Sequence, residues 1–300
     1  MKLDINRIHG IVVPMITPLT ADESIDETAL IRIVDYILNG GVHGIFVNST
    51  TGEGVCLTND EARKMLQIVI KRINRKVPVY ANVSANSVKI VLANIEKAES
   101  LDADIVVAHP PFFYPPNSQE ELFLYYESIL KESKLPVMIY NIPFTTQAPI
   151  AINTIKRLLD FENLIGIKDS SVDYVFLQDL IKLKEIRSDF KIFIGKSHMW
   201  TAGILSGADG GLDGISNIIP SLCVQLYDKI RSGSNDVFER QRDIDDIWQI
   251  YECRSFLGGI KAAMSLLGLC ESYTSKPILP AAEEEIQNIK RILVENNVLE

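Results

Sequence analysis

Residues 163–171 read NLIGIKDSS. Leu164, Ile165, Gly166 and Ile167 form a continuous apolar run, which is the pattern of a strand buried on both faces rather than on one. The run ends directly in Lys168, Asp169 and two serines. A strand of this kind belongs to a parallel sheet covered by helices, and it surfaces at its C-terminal end with a lysine.

The rest of the chain repeats the pattern. Short β-branched segments span Ile11–Ile16, His43–Val47, Val77–Val83, Ala103–Ala108, Val137–Tyr140, Leu164–Lys168, Lys191–Ile194 and Ala208–Leu212. Segments of helical period lie between them, such as Asp26–Leu38, Asn59–Arg72, Val88–Glu99 and Gln119–Glu132. Strands that alternate with helices imply a parallel sheet, and about eight such units suit a (β/α)8 TIM barrel. A doubly wound sheet is the competing reading; it usually needs fewer strands, and no GxGxxG follows the first strand here. After the polar turn SGSND the chain is helical in pattern, over Asp236–Phe256, Gly259–Leu267 and Ala281–Leu293. The expected organisation is therefore a barrel over 1–234, with a C-terminal helical region over 235–300 packed on it.

Composition narrows the function classes. The net charge of −9 comes without an extended Lys/Arg cluster, which disfavours nucleic acid and anionic membrane surfaces as partners. No apolar run reaches the roughly 18–20 residues of a membrane span. The N-terminus has an Asp and an Arg where a signal peptide needs apolar residues, so a cytoplasmic location is expected. The four cysteines form no CxxC pair, and the four histidines, His109 among them, show no metal-ligand spacing.

In a barrel, chemistry gathers at the C-terminal ends of the strands. Lys168 ends the sixth strand, Tyr140 ends the fifth in MIYNIP, and the turn Thr50-Thr51-Gly52-Glu53 follows the second in FVNSTTGEG. A lysine with apolar neighbours has its charged form desolvated, which moves it below the usual value of about 10.4. The neutral amine can then attack a ketone to give an imine that withdraws electrons from the adjacent carbon–carbon bond. The plain alternative is a lysine that pairs with Asp169 or reaches to solvent. Tyr140 suits proton relay beside such an imine, or else is a packed ring whose hydroxyl finds a backbone partner. The Thr50–Gly52 turn offers two hydroxyls and successive N–H groups to a small carboxylate, although such a tetrapeptide is also an ordinary turn.

Together, NSTTGEG, YNIP and GIKDSS resemble, in order and spacing, the dihydrodipicolinate synthase and N-acetylneuraminate lyase family of class I pyruvate-dependent aldolases. The resemblance runs from GIVVPMITP at the first strand to the helical tail. It implies a (β/α)8 barrel with C-terminal helices, a homotetramer, and no metal or organic cofactor. It also implies Lys168 as the Schiff-base lysine for pyruvate, Tyr140 as the proton-relaying tyrosine, and Thr50 and Thr51 as the holders of the pyruvyl carboxylate.

Departures from the family pattern bear on the substrate. The synthases carry an arginine two residues after YNxP, where this chain has Thr145, and a tyrosine where it has Phe113, with Tyr114 one place later. Without the arginine, a second carboxylate is poorly held. The segments IKDSS and GADGGLDGISNIIPS look more like 2-keto-3-deoxygluconate aldolases of archaeal type, in which the residue at Ser170 contacts the sugar chain. Relatives that accept the phosphorylated sugar carry an arginine where Pro116 stands here. The expected reaction is therefore reversible cleavage of unphosphorylated 2-keto-3-deoxygluconate to pyruvate and glyceraldehyde. Thr145, Ser170, Gly195 and Ser197 would separate it from N-acetylneuraminate cleavage. A dihydrodipicolinate synthase with a relocated arginine and a non-catalytic keto-acid-binding regulatory protein on the same barrel are the other readings.

Overall fold

A computed structural model describes residues 4–300. Eight parallel strands follow one another in sequence order around a closed barrel: β1 Gly10–Pro14, β2 Gly44–Val47, β3 Val79–Asn82, β4 Ile105–Ala108, β5 Val137–Asn141, β6 Leu164–Asp169, β7 Lys191–Ile194 and β8 Gly210–Gly211. The fold is the (β/α)8 barrel with C-terminal helices. Among the described residues no helix is long and apolar enough to cross a membrane.

Two compact units divide the chain, and each has its own logic. The first holds the described residues up to Gly10 together with Pro78–Leu212. Its strands β3 to β8 pair in parallel, each with the next. Every residue of β4, β5 and β6 is buried, and each buried Ile, Leu or Val side chain contributes about 1.5–3 kcal/mol. The helices of this unit are α3 Val88–Ser100, α4 Gln119–Glu132, α5 Pro143–Thr146, α6 Ile152–Leu158, α7 Tyr174–Lys182 and α8 Trp200–Ser206. Ser87, Ser118 and Asp173 accept the backbone N–H three residues on and so start α3, α4 and α7. The eighth strand, expected over Ala208–Leu212, is regular only at Gly210 and Gly211. Both are packed too closely for a side chain: a Cβ on Gly210 would lie 1.9 Å from the Gly10 carbonyl oxygen, and one on Gly211 2.2 Å from the Trp200 ring.

The second unit comprises Ile11–Val77 and Asp213–Glu300. It holds β1, β2, α1 Glu27–Asn39, α2 Asn59–Ile73, α9 Pro220–Ser232, α10 Val237–Trp248, α11 Phe256–Leu266 and α12 Glu283–Glu295. Asp26 caps α1, and Thr58 with Glu61 forms a capping box on α2. The sequence pattern predicts one helix over Asp236–Phe256; instead α10 ends at Trp248 and α11 begins at Phe256. Ser255 caps α11 by accepting the Gly258 N–H, and a Cβ on Gly259 would sit 2.2 Å from the Ile250 carbonyl oxygen. The cap and the glycine contact turn the chain where helical periodicity alone shows no break.

Candidate active site

In the first unit the ends of β4, β5 and β6 carry His109, Tyr140 and Lys168. Tyr140 and Lys168 are register partners on adjacent strands, so their side chains leave the sheet on the same face. Both are buried, at 3% and 4% exposure. Lys168 Nζ lies 4.0 Å from the centroid of the Tyr140 ring, the arrangement a cation makes with an aromatic face. A protonated imine at the same nitrogen would keep that contact.

Asp169 points to the other face of β6, and it is satisfied there. Its carboxylate accepts from Asn141 Nδ2 at 2.7 Å and from the Ser171 hydroxyl at 2.8 Å. Burial raises its carboxyl above the usual range. Asn141 Oδ1 in turn accepts the Ile150 N–H at 3.2 Å, and the Asn141 carbonyl accepts the Ser170 N–H at 2.8 Å. These bonds fix the ends of β5 and β6 against each other, and with them the positions of Tyr140 and Lys168.

Ser170 abuts Gly195 at the end of β7, where a Cβ would fall 1.9 Å from Ser170 Oγ. The Gly195 N–H donates to the Asp169 carbonyl at 2.6 Å. Of the residues singled out in this unit, Lys168, Tyr140, Ser170 and Gly195 thus cluster on neighbouring strand ends. Thr145 is exposed in the short helix α5, and Ser197 is wholly buried at a 3-10 turn after β7.

Just past the lysine, Val172 has φ +61° and is half exposed. A β-branched residue in this left-handed region crowds its own backbone, at a cost of about 1–2 kcal/mol. Asparagine tolerates the conformation and the site is open to solvent. Val172→Asn should therefore stabilise the protein by about 1 kcal/mol. Thermal melting would show a raised Tm; an unchanged or lower one would mean that the valine is not strained.

The second unit carries the Thr50–Glu53 turn. Asn48 and Glu53 both have positive φ, +56° and +55°. A Cβ on Gly54 would fall 1.9 Å from the Asn48 carbonyl oxygen, so the turn closes only around glycine. The Gly52 N–H, expected to be open to a ligand, donates instead to Ser49 Oγ at 3.2 Å, and the Gly52 carbonyl accepts the Thr17 hydroxyl at 2.5 Å. Among the described residues, the hydroxyls of Thr50 and Thr51 have no hydrogen-bond partner. They remain available as donors.

Glu53 anchors the turn from beneath. Its carboxylate accepts the Ser275 N–H at 2.6 Å and pairs with Lys261 Nζ at 2.5 Å, both side chains being fully buried. Lys261 also donates to the Tyr273 carbonyl at 2.6 Å. Burial pushes the Lys261 ammonium below its usual value, and Glu53 opposes that shift.

Sequence reading missed this pair and His109. A lysine inside the apolar stretch GGIKAAM was the available signal for the first. For His109 it was the position directly after β4, at the same end of the strands as Tyr140 and Lys168. Among the described residues no three His, Cys, Asp or Glu side chains gather as metal ligands.

A buried lysine over a tyrosine ring at the strand ends of a (β/α)8 barrel defines a class, the lyases that open carbon–carbon bonds through an amine. Residues 7–296 match the family model of the Dihydrodipicolinate synthetase family, and the chain belongs to that family. It is a carbon–carbon lyase of the class I pyruvate aldolase kind. An uncharacterised DapA-like lyase of Thermococcus onnurineus is 31% identical over 276 residues, covering 91% of this chain and 92% of the relative. The 4-hydroxy-tetrahydrodipicolinate synthase of Phocaeicola vulgatus is 29% identical over 291 residues, covering 96% and 97%. Among solved structures, YagE of E. coli K12, a prophage protein of the dihydrodipicolinic acid synthase family in complex with pyruvate, superposes with a TM-score of 0.93 at 26% identity over 97% of this chain and 99% of that one.

Proposed function

We propose that the protein is a Schiff-base aldolase that reversibly cleaves 2-keto-3-deoxygluconate to pyruvate and glyceraldehyde and prefers the unphosphorylated sugar acid. The observation that carries this substrate is the chemistry of three loops. Segments 109–118, 142–151 and 170–180, which follow β4, β5 and β6, contain no lysine or arginine. A second carboxylate or a phosphate on the aldehyde-derived part of the substrate finds no cation on these three segments, although Lys196 stands between Gly195 and Ser197 after β7, whereas hydroxyls need none.

In the cleavage direction, Lys168 Nζ adds to the C2 ketone while Thr50 and Thr51 hold the C1 carboxylate. Loss of water gives the imine, whose positive charge faces the Tyr140 ring. Tyr140 gives its phenolic proton to the departing water as the imine forms, and the resulting phenolate then takes the proton of the C4 hydroxyl. The C3–C4 bonding electrons move toward the iminium nitrogen, glyceraldehyde departs, and an enamine remains. Protonation at C3 and hydrolysis release pyruvate and regenerate the amine. Ser170 and Gly195 border the same strand ends, and we assign them, with Thr145 and Ser197, to the sugar chain. A homotetramer in the cytoplasm is the assembly and location that accompany this reading.

The test is a cleavage panel over 2-keto-3-deoxygluconate, 2-keto-3-deoxygalactonate, their phosphates and N-acetylneuraminate. The free gluconate-derived acid should give the highest kcat/KM. A clear preference for a phosphorylated acid or for N-acetylneuraminate would overturn the substrate assignment while leaving the lyase class intact.

A further inference from the structure

His109 stands immediately after β4 and is held from three directions. Its N–H donates to Ser84 Oγ at 2.8 Å, and its carbonyl accepts the Tyr125 hydroxyl at 3.0 Å. Ring Nδ1 lies 2.8 Å from the Pro110 carbonyl oxygen. A carbonyl can only accept, so Nδ1 carries the proton and Nε2 presents a lone pair. The ring packs edge-on between Tyr140, with centroids 6.1 Å apart, and Phe112, at 5.9 Å.

The ring stands close to the lysine that would form the imine. Lys168 Nζ is 4.0 Å from the Tyr140 ring centroid, which is 6.1 Å from the His109 centroid. At most about 10 Å therefore separates the imine nitrogen from the imidazole, within reach of a six-carbon chain and one hydrogen bond. Its charge state is also constrained. Burial, and more weakly the neighbouring Lys168, push His109 below the usual imidazole range, and the hydrogen bond to the Pro110 carbonyl only partly opposes them. The side chain is a neutral acceptor at neutral pH.

We propose that His109 is a specificity-determining residue, whose Nε2 accepts a hydrogen bond from a hydroxyl on the aldehyde-derived part of the keto acid. The inference rests on the aldolase reading above and deepens it. A neutral lone pair rewards a hydroxyl donor and opposes a carboxylate placed at the same point. It thus selects polyhydroxylated substrates by a contact of its own, beyond the lack of cations in the three loops. A site built to bind a hydroxyl discriminates against the analogue lacking it far more strongly than an apolar pocket does, because its polar group is left unpaired.

The experiment runs the reaction in the synthetic direction, pyruvate with glyceraldehyde against pyruvate with propionaldehyde, which lacks both hydroxyls. It compares the wild type with His109→Phe, which keeps a ring between Tyr140 and Phe112 without the acceptor, and with His109→Gln, which restores an acceptor oxygen. Borohydride trapping with pyruvate monitors imine formation separately. The wild type should favour glyceraldehyde by roughly 10²-fold in kcat/KM. His109→Phe should lose most of that ratio, mainly through KM for glyceraldehyde, and His109→Gln should recover part of it. A ratio unchanged in His109→Phe, with both aldehydes slowed alike, would overturn the inference and leave His109 a packing residue. A wild type that is trapped by pyruvate yet indifferent between the two aldehydes would overturn it as well. A wild type that pyruvate does not trap would overturn the aldolase reading first, and the inference with it.

Discussion

Lys168→Ala should lose turnover by on the order of 10⁵-fold or more, as removal of a covalent nucleophile does. That corresponds to about 7 kcal/mol of barrier lowering, at roughly 1.4 kcal/mol per tenfold. The chain has a second buried lysine, and the comparison shows why 168 is the one to remove. Lys261 Nζ is held between the Glu53 carboxylate at 2.5 Å and the Tyr273 carbonyl at 2.6 Å, so its nitrogen is already engaged. Lys168 instead meets a ring face, at the end of a strand whose preceding residues are apolar. The nearest carboxylate in sequence, Asp169, is already engaged by Asn141 and Ser171 on the opposite side of the strand. The bonds that tie β5 to β6, from Asn141 to Asp169 and from Ser170 to Asn141, do not involve the Lys168 side chain, so the Lys168→Ala protein should still fold. Mass spectrometry after borohydride treatment with pyruvate should show an adduct on Lys168 in the wild type and none in the variant. Residual activity above about 1% of wild type, or an adduct that survives the substitution, would place the nucleophile elsewhere.

Much of this was legible in the chain because parallel strands buried on both faces leave an unambiguous trace. Leu164–Ile167 read as a covered strand with Lys168 at its end. The alternation of strand and helix favoured a barrel over a doubly wound sheet, and the strand ends pointed to Tyr140 and the Thr50 turn as candidates. What stayed hidden depends on individual side-chain and backbone contacts that hydrophobic periodicity does not encode. No local pattern marks the break between α10 and α11, which comes from a serine cap and a glycine pressed against the Ile250 carbonyl. The tautomer of His109 is set by the Pro110 carbonyl, and its packing by Phe112 in the same loop and Tyr140 on β5. The Gly52 N–H looked open in the motif, yet Ser49 folds back to occupy it. Glu53 and Lys261 lie at opposite ends of the sequence, and only folding shows that each is the other's counter-ion.

That pair carries the second large expectation. Lys261→Met, close in length and without charge, should cost about 3–5 kcal/mol, the usual result of removing one partner from a buried ion pair. The loss comes from the Glu53 carboxylate, which would keep the Ser275 N–H on one oxygen and face apolar surroundings with the other. At roughly 2–4 °C per kcal/mol, Tm should fall by on the order of 10 °C. Adding Glu53→Gln to Lys261→Met should recover much of that, because the amide oxygen can still accept from Ser275 while the buried charge is gone. The double variant thereby separates the charge from the packing. Glu53 also ends the turn that presents Thr50 and Thr51, with its backbone in the left-handed region at φ +55°. Loosening its carboxylate frees that turn to shift, so the single variant should show a raised KM for pyruvate, measured below its own melting transition. A Lys261→Met protein that melts within about 1 °C of wild type and binds pyruvate normally would mean that the pair holds neither the fold nor the turn. The more severe result is expected because no water reaches either side chain, and an isolated carboxylate in such a place has no other way to be stabilised than to take up a proton.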